Sequence, residues 1–262
     1  MQHAGNWEQK MNKRFNGTYS YQKDIGKVRV SNEDECTVLV DAGGNVLMMV
    51  ADGMGGHKKG DYASQETINY IKELFISKGK FLNQLEVIYW IKKAIREVNS
   101  HIFTISDNND QYHGMGTTLV LAFIYKNKLI IVNAGDSRAY IYNKEELKQM
   151  TEDQTYVNYL YRRGEIKKEE MMTHPKRHVL TNAVGLFPSI SIDIKIYNYN
   201  GESVLLCSDG LYNNIKEDDI KNVLHTDQST QQKVATLINI ANFNGGSDNI
   251  SVALWETLHD KD

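Results

Sequence analysis

An acidic residue stands four times where a strand-like apolar run meets a turn, and this repeated junction limits the possible folds more than any other feature. The first run, Val46-Leu-Met-Met-Val-Ala51, leads straight into Asp52-Gly53, with Gly55 and Gly56 just beyond. An apolar run of that length bounded by turn residues reads as a strand buried on both faces. A carboxylate at its tip is held rigidly, and a glycine there lets backbone oxygens come close to an ion. Alone, the same tip fits a tight turn whose Asp caps the next helix. The junction recurs where Ser203–Cys207 runs into Ser208-Asp209-Gly210. Asp136 sits between the runs 129–134 and 137–142, and Asp248 stands just before the run 250–255.

The rest of the chain supplies the frame. Cys36 to Val40 alternates as a strand, and Asp41-Ala-Gly-Gly-Asn45 is a turn, so residues 36–51 predict a hairpin that brings Asp52 back toward Glu33 and Asp34. Residues 61–77 and 84–105 carry apolar stripes at helical spacing, as do 217–225 and 230–242. Further strands are expected over 119–125, 129–134, 137–142, 190–197, 203–207 and 250–255. Residues 145–188 hold both prolines and much charge, and predict a subdomain laid over the core with short helices at 158–163 and 167–172. Residues 1–23 have no clear period and predict a mobile extension. Strands backed by helices at this length predict packed sheets with helices outside.

Composition narrows the functions. A formal charge of −3 offers no surface for wrapping nucleic acid or holding an anionic membrane. No apolar run reaches the roughly 20 residues of a membrane span, and Met1–Lys23 lacks the apolar stretch of a signal peptide. Cys36 and Cys207 lie far apart in strand-like runs, as small core residues do. A cytoplasmic protein is expected. Acids gathered at one end of the sheets, with no His or Cys cluster, favour Mg²⁺ or Mn²⁺ over Zn²⁺. Converging carboxylates repel unless cations neutralise them, and two ions sharing one Asp is an arrangement suited to phosphoryl chemistry.

Six motifs occur in order from about residue 24 to 255. They are Arg29-x-x-Asn-Glu-Asp34, Val50-Ala-Asp-Gly-Met-Gly-Gly-His57, Gly114-Met-Gly-Thr-Thr118, Asn133-Ala-Gly-Asp-Ser-Arg-Ala139, Cys207-Ser-Asp-Gly-Leu211 and Gly246-Ser-Asp-Asn-Ile250. Together they resemble the type-2C, metal-dependent serine/threonine protein phosphatases, and the Asp-Gly-Met-Gly-Gly-His form looks like the compact bacterial branch. The resemblance implies an α+β, four-layer α-β-β-α sandwich, with two central antiparallel sheets, a flap at about 145–188, and one catalytic domain over 24–257. It implies that Asp52 bridges two metals, that the Gly53 carbonyl ligates one, and that Asp209 and Asp248 complete the other's shell. Glu33 and Asp34 would hold metal-bound waters, Asp136 a weaker third ion with Asp209, and Arg29 the substrate phosphate.

The implied reaction is direct attack of a metal-bridging hydroxide on phosphoserine or phosphothreonine, with Mn²⁺ or Mg²⁺ as cofactor. Implied partners are phosphorylated proteins and a cognate Ser/Thr kinase, with no nucleic acid or membrane and a monomeric state. Two other readings fit the resemblance: a dedicated phosphatase of a partner-switching cascade, and a non-catalytic phosphoprotein-binding pseudophosphatase. Some members carry a His after the first Asp-Gly; here Met54 stands there, and His57 serves either helix start or catalysis. Asp153-Gln-Thr155 and Thr181-Asn-Ala-Val-Gly185 also depart from common forms in the covering segment. His174-Pro175 reads as structural, and Ser137 and Arg138 as partners for backbone and nearby carboxylates.

Overall fold

The computed structural model describes residues 15–55 and 58–258. Strands β1 (Gly17–Asp24), β7 (Arg138–Tyr142), β8 (Leu147–Gln149), β10 (Ser203–Cys207) and β11 (Ile250–Thr257) make one antiparallel sheet, ordered β1-β11-β10-β7-β8. Strands β2 (Asp34–Val40), β3 (Val46–Met54), β5 (Leu119–Tyr125), β6 (Lys128–Ala134) and β9 (Asp193–Asn198) make the other, in that order, with the short β4 (Gly116–Thr117) attached to β3. Helices α1 (Lys58–Lys78) and α2 (Gln84–Asn108) cover the β3 sheet. Helices α6 (Glu217–His225) and α7 (Thr230–Phe243) cover the β11 sheet. The four layers are those the family resemblance implies.

Strand β3 shows why the layers hold. Val46, Met48 and Val50 pack into the core between the sheets, while Leu47, Met49 and Ala51 pack against the helices. All six are 0% exposed. At roughly 1.5–3 kcal/mol for each large apolar side chain buried, the strand is fixed on both faces right up to the acid at its tip. The turn before it is fixed too: the Asp41 carboxylate accepts from the Asn45 backbone N–H at 2.9 Å and its side-chain amide at 2.7 Å. Helix α2 starts where Asn83 accepts the Glu86 backbone N–H, and buries Val87, Ile91, Ile95, Val98 and Ile102; the stripe expected from helical spacing has Ile88 in place of Val87, and Ile88 is only partly buried.

Two departures concern edges. The extension expected over 1–23 ends earlier, because Gly17–Asp24 is a strand paired with β11 from Gly17 opposite Thr257 to Asp24 opposite Ile250. An outer strand gets its order from backbone pairing, and its partly exposed side chains, Tyr19 and Tyr21 among them, carry little apolar alternation. Just before it, Phe15 is buried with its ring 4.7 Å from that of Tyr199. Residues 1–14 lie outside the described residues. In the covering segment, β8 joins the β11 sheet, and α3 (Tyr156–Arg162) and α4 (Lys168–Met171) are the two short helices expected there. The isolated pairing Thr117↔Val184 ties this segment to the core, and Thr155↔Leu180 closes it on itself. Among the described residues, no helix is long and apolar enough to cross a membrane.

Candidate active site

The four junctions meet at one end of the two sheets. Asp52 lies opposite Asp34 in the β2–β3 register, so the hairpin brings those two carboxylates together as the sequence predicts. The backbone of Asp52 is clamped by Thr118: the Asp52 N–H donates to Thr118 Oγ1 at 2.9 Å, and the Thr118 N–H donates to the Asp52 carbonyl at 2.9 Å. Thr118 Oγ1 also shares a 2.7 Å hydrogen bond with Ser137 Oγ. The Gly53 N–H donates to the Glu33 carbonyl at 3.0 Å. A Cβ at Gly53 would collide with the carbonyls of Gly60 and Glu33, so backbone fills the space that any side chain would need.

The other acids arrive from the β11 sheet and the turn after β6. Asp34 is fully buried, and its Oδ2 accepts from Ser208 Oγ at 2.6 Å while its Oδ1 has no hydrogen-bond partner. Asp209 opens the short helix α5 (Asp209–Tyr212); its Oδ2 accepts from Asn213 Nδ2 at 3.2 Å, and its buried Oδ1 has no partner either. Asp248 Oδ2 takes the Arg29 guanidinium at 2.7 Å. Asp136 is half-buried in the turn between β6 and β7, and its carbonyl accepts from the Tyr212 hydroxyl at 3.1 Å. Arg29, Glu33, Asp52, Gly53, Asp136, Asp209 and Asp248 line one open cleft of about 610 Å³.

So many acids in one place shift one another. Burial pushes Asp34 up to about 7, with the Asp209 charge adding to it and the Ser208 hydroxyl opposing. Burial likewise pushes Asp136 up to about 8 and Asp209 up to about 6, each helped by a neighbouring Asp. Asp52 is raised well above the ordinary carboxylate value by burial and by the charges of Asp34, Asp209, Asp136 and Asp248. The Asp248 hydrogen bond raises Arg29. Among the described residues no three of these groups are drawn together into a ready-made cage for an ion. Arg29 holds Asp248 and offsets one of the like charges. The donors nevertheless fit hard divalent cations: they are oxygens, and two of them are buried without partners.

A protein phosphatase 2C family model matches residues 27–254. The chain belongs to the protein phosphatase 2C family. It is 37% identical over 237 residues to the serine/threonine phosphatase stp of Listeria welshimeri, covering 90% of this chain and 94% of that one. The crystal structure of a bacterial serine phosphatase superposes with a TM-score of 0.87 at 32% identity, over 94% of this chain and 100% of the other. The catalytic domain of serine/threonine protein phosphatase PstP, crystallised with two manganese ions, superposes with a TM-score of 0.80 at 30% identity, over 93% and 99% of the two chains.

Within this 2C phosphatase, several site residues escaped the sequence reading. Thr118, Ser208 and Asn249 lie inside the quoted motifs, yet their work is hydrogen bonding to backbone and buried carboxylate, which leaves no charge pattern to read. Arg177, His178 and Leu180 reach the cleft from the covering segment, and only the folded path of that segment brings them there. Arg138 does pair as expected: it grips Asp153 with two hydrogen bonds, of 3.0 and 2.7 Å, and its guanidinium lies 3.5 Å over the Tyr212 ring. Met54 lines the cleft and offers no proton. His57 lies outside the described residues.

Proposed function

We infer that this serine/threonine phosphatase works with two divalent cations, Mn²⁺ or Mg²⁺, held at the strand tips, and with a third, weaker one. Asp52, the Gly53 carbonyl, Asp209 and Asp248 would hold the two tighter ions, with Asp52 common to both. Glu33 and Asp34 would hold water at the site, and Asp136 with Asp209 would take the weaker ion. The observation that carries this reading is the meeting of Glu33, Asp52, Asp136, Asp209 and Asp248 in one cleft, with Asp34 buried opposite Asp52 and buried, unpartnered oxygens on Asp34 and Asp209. Bound there, the cations supply a water of lowered pKa and neutralise charge developing on the phosphoryl group.

The chain's own residues do the rest. Arg29 stands at the cleft with its side chain about half exposed, at 53%. Its planar fork suits two phosphate oxygens at once. Thr118 fixes the backbone that carries Asp52, so the acid needs no reordering as substrate binds. Phosphoproteins are the substrates. A second cleft of about 700 Å³ shares Asp136, Asp209, Arg177 and His178 with the first and runs under Val157, Met171 and Met172. That leaves room for chain on either side of a phosphorylated residue.

The extent of the catalytic unit follows from the shared core. We take residues 17–257 as one unit, because β1 completes its sheet, and residues 145–188 as its cover. A kinase acting on the same phosphoproteins is the proposed partner, the monomer the proposed state, and the cytoplasm the proposed compartment. Neither a non-catalytic binding module nor a phosphatase dedicated to one switching cascade is favoured, since the acid set is complete and the named relatives are serine/threonine phosphatases. The test is hydrolysis of a phosphopeptide panel. Activity should need added Mn²⁺ or Mg²⁺ and vanish in excess chelator; full turnover after thorough demetallation would overturn the reading.

A further inference from the structure

We propose that Asn249 is the positioning residue for Arg29, locking the segment that carries the phosphate-gripping arginine onto the turn that carries Asp248. The segment in question, residues 25–33, joins β1 to β2 and has no regular structure. Burial does not hold it, because Val28 and Val30, on either side of Arg29, are 66% and 82% exposed. One buried amide ties it at three points along its length. Asn249 is 5% exposed, and its Nδ2 donates to the carbonyls of Ile25 and Ser31, both at 2.9 Å. Its Oδ1 accepts the Glu33 backbone N–H at 2.8 Å. The two carbonyls bracket Arg29, so the amide closes the segment into a loop of set shape.

The chemistry of the side chain fits this task closely. A primary amide has two donors and an acceptor on one short planar group, and all are used here. An ionised Asp would lose both donors, Ser keeps one hydroxyl proton, and Gln would sit a methylene too far out. Further contacts run between the same partners: the Lys27 N–H donates to the Gly246 carbonyl at 2.8 Å, and a Cβ on Gly26 would collide with the Asp248 carbonyl. Asp248 meanwhile takes the Arg29 guanidinium at 2.7 Å. Adjacent residues thus hold the arginine's side chain and the backbone of the segment that carries it. The ion pair is exposed and therefore weak, so the buried amide sets the direction of Arg29.

The proposal rests on Arg29 as the phosphate grip, and a double-mutant cycle tests the two separately. Asn249→Ala should raise KM for an aryl phosphate, and Ki for inorganic phosphate, by about tenfold, the size expected for a displaced positioning contact. In an Arg29→Ala background the same change should raise them less than about twofold, because the residue it acts through is gone. Amide hydrogen exchange should quicken across 25–33 in Asn249→Ala while 250–257 stays protected. Equal losses in both backgrounds, or faster exchange in β11 as well, would overturn the proposal in favour of a general folding role. An Arg29→Ala enzyme with unchanged KM and Ki would overturn the phosphate-grip reading itself, and this proposal with it. Should Asn249→Ala not fold, Asn249→Ser carries the same expectations at smaller size.

Discussion

The strand tips and the covering segment face the same cleft but are built on different terms. At the tips each acid sits on a frame of buried strand, and its neighbours are tied by short hydrogen bonds. Asp52 has the Thr118 clamp, and Asp34 has the Ser208 hydroxyl at 2.6 Å. The covering segment meets the core along the short β8, through the isolated pairing Thr117↔Val184 and through the Arg138–Asp153 pair. It leaves Tyr159, Tyr161, Met172 and Val179 exposed. The difference separates two tasks. Chemistry that needs charges placed within fractions of an ångström is built on rigid elements, while a surface that meets varied protein segments gains from adaptable side chains such as Met.

Breaking the frame at the tips should cost most. Ser208→Ala removes the donor to Asp34 and leaves a buried carboxylate without its hydroxyl. Turnover should fall about 10- to 100-fold, with weaker Mn²⁺ binding and an intact fold. Wild-type metal affinity in this variant, measured by calorimetry, would mean that Asp34 takes no part in holding the ions. Asp136 comes next, since it lies at the seam between the two regions. Asp136→Ala should lose about tenfold on a phosphopeptide, whose alkoxide leaves poorly, and much less on an aryl phosphate, whose phenolate hardly needs a proton. Equal losses on both substrates with a lowered melting point would make Asp136 a turn-former, a role its hydrogen bond to its own backbone also supports.

The acid cluster also predicts how stability follows pH. Asp34, Asp136 and Asp209 are raised to about 7, 8 and 6 in the fold. The unfolded chain releases those protons near pH 4. Above pH 4 the folded state therefore keeps protons that the unfolded state has lost, and that stabilisation fades as pH rises from about 4 to about 8. Chelator-treated protein should melt several °C lower at pH 8 than at pH 5.5, and Mn²⁺ should raise the melting point more at pH 8. A melting point flat across that range would show that the tips are not strained by their charges. The smallest effect belongs to the covering segment. Met172→Ser, at a residue 81% exposed, should change aryl phosphate hydrolysis less than about twofold and stability by no more than about 0.5 kcal/mol. A tenfold loss there would erase the distinction between the regions.

The same contrast explains what the sequence made legible. A strand buried on both faces and ending in Asp-Gly announces itself, so Asp52, Asp209 and the return of Asp52 to Asp34 could be read directly. Ordered motifs then made the four layers legible. Strand β1 was not, because backbone pairing leaves no mark on side-chain pattern. Ser208 and Asn249 were not, because a hydroxyl or amide that serves another residue looks like any polar turn residue. The covering segment gave its two short helices but not the path that carries Arg177 and His178 to the cleft. That path depends on contacts such as the Gly185 N–H donating to Asn99 Oδ1 at 2.9 Å, across 86 residues of chain.

The central claim is that the strand tips hold two ions with Asp52 shared between them. Calorimetric titration of Mn²⁺ into chelator-treated wild type and Asp52→Asn tests it most directly, because the substitution keeps the shape and removes the shared charge. Wild type should show two tight sites, and Asp52→Asn at most one weakened site, with an unchanged fold by circular dichroism and turnover down by on the order of 10³-fold or more. Two tight sites of unchanged affinity in Asp52→Asn would contradict the account.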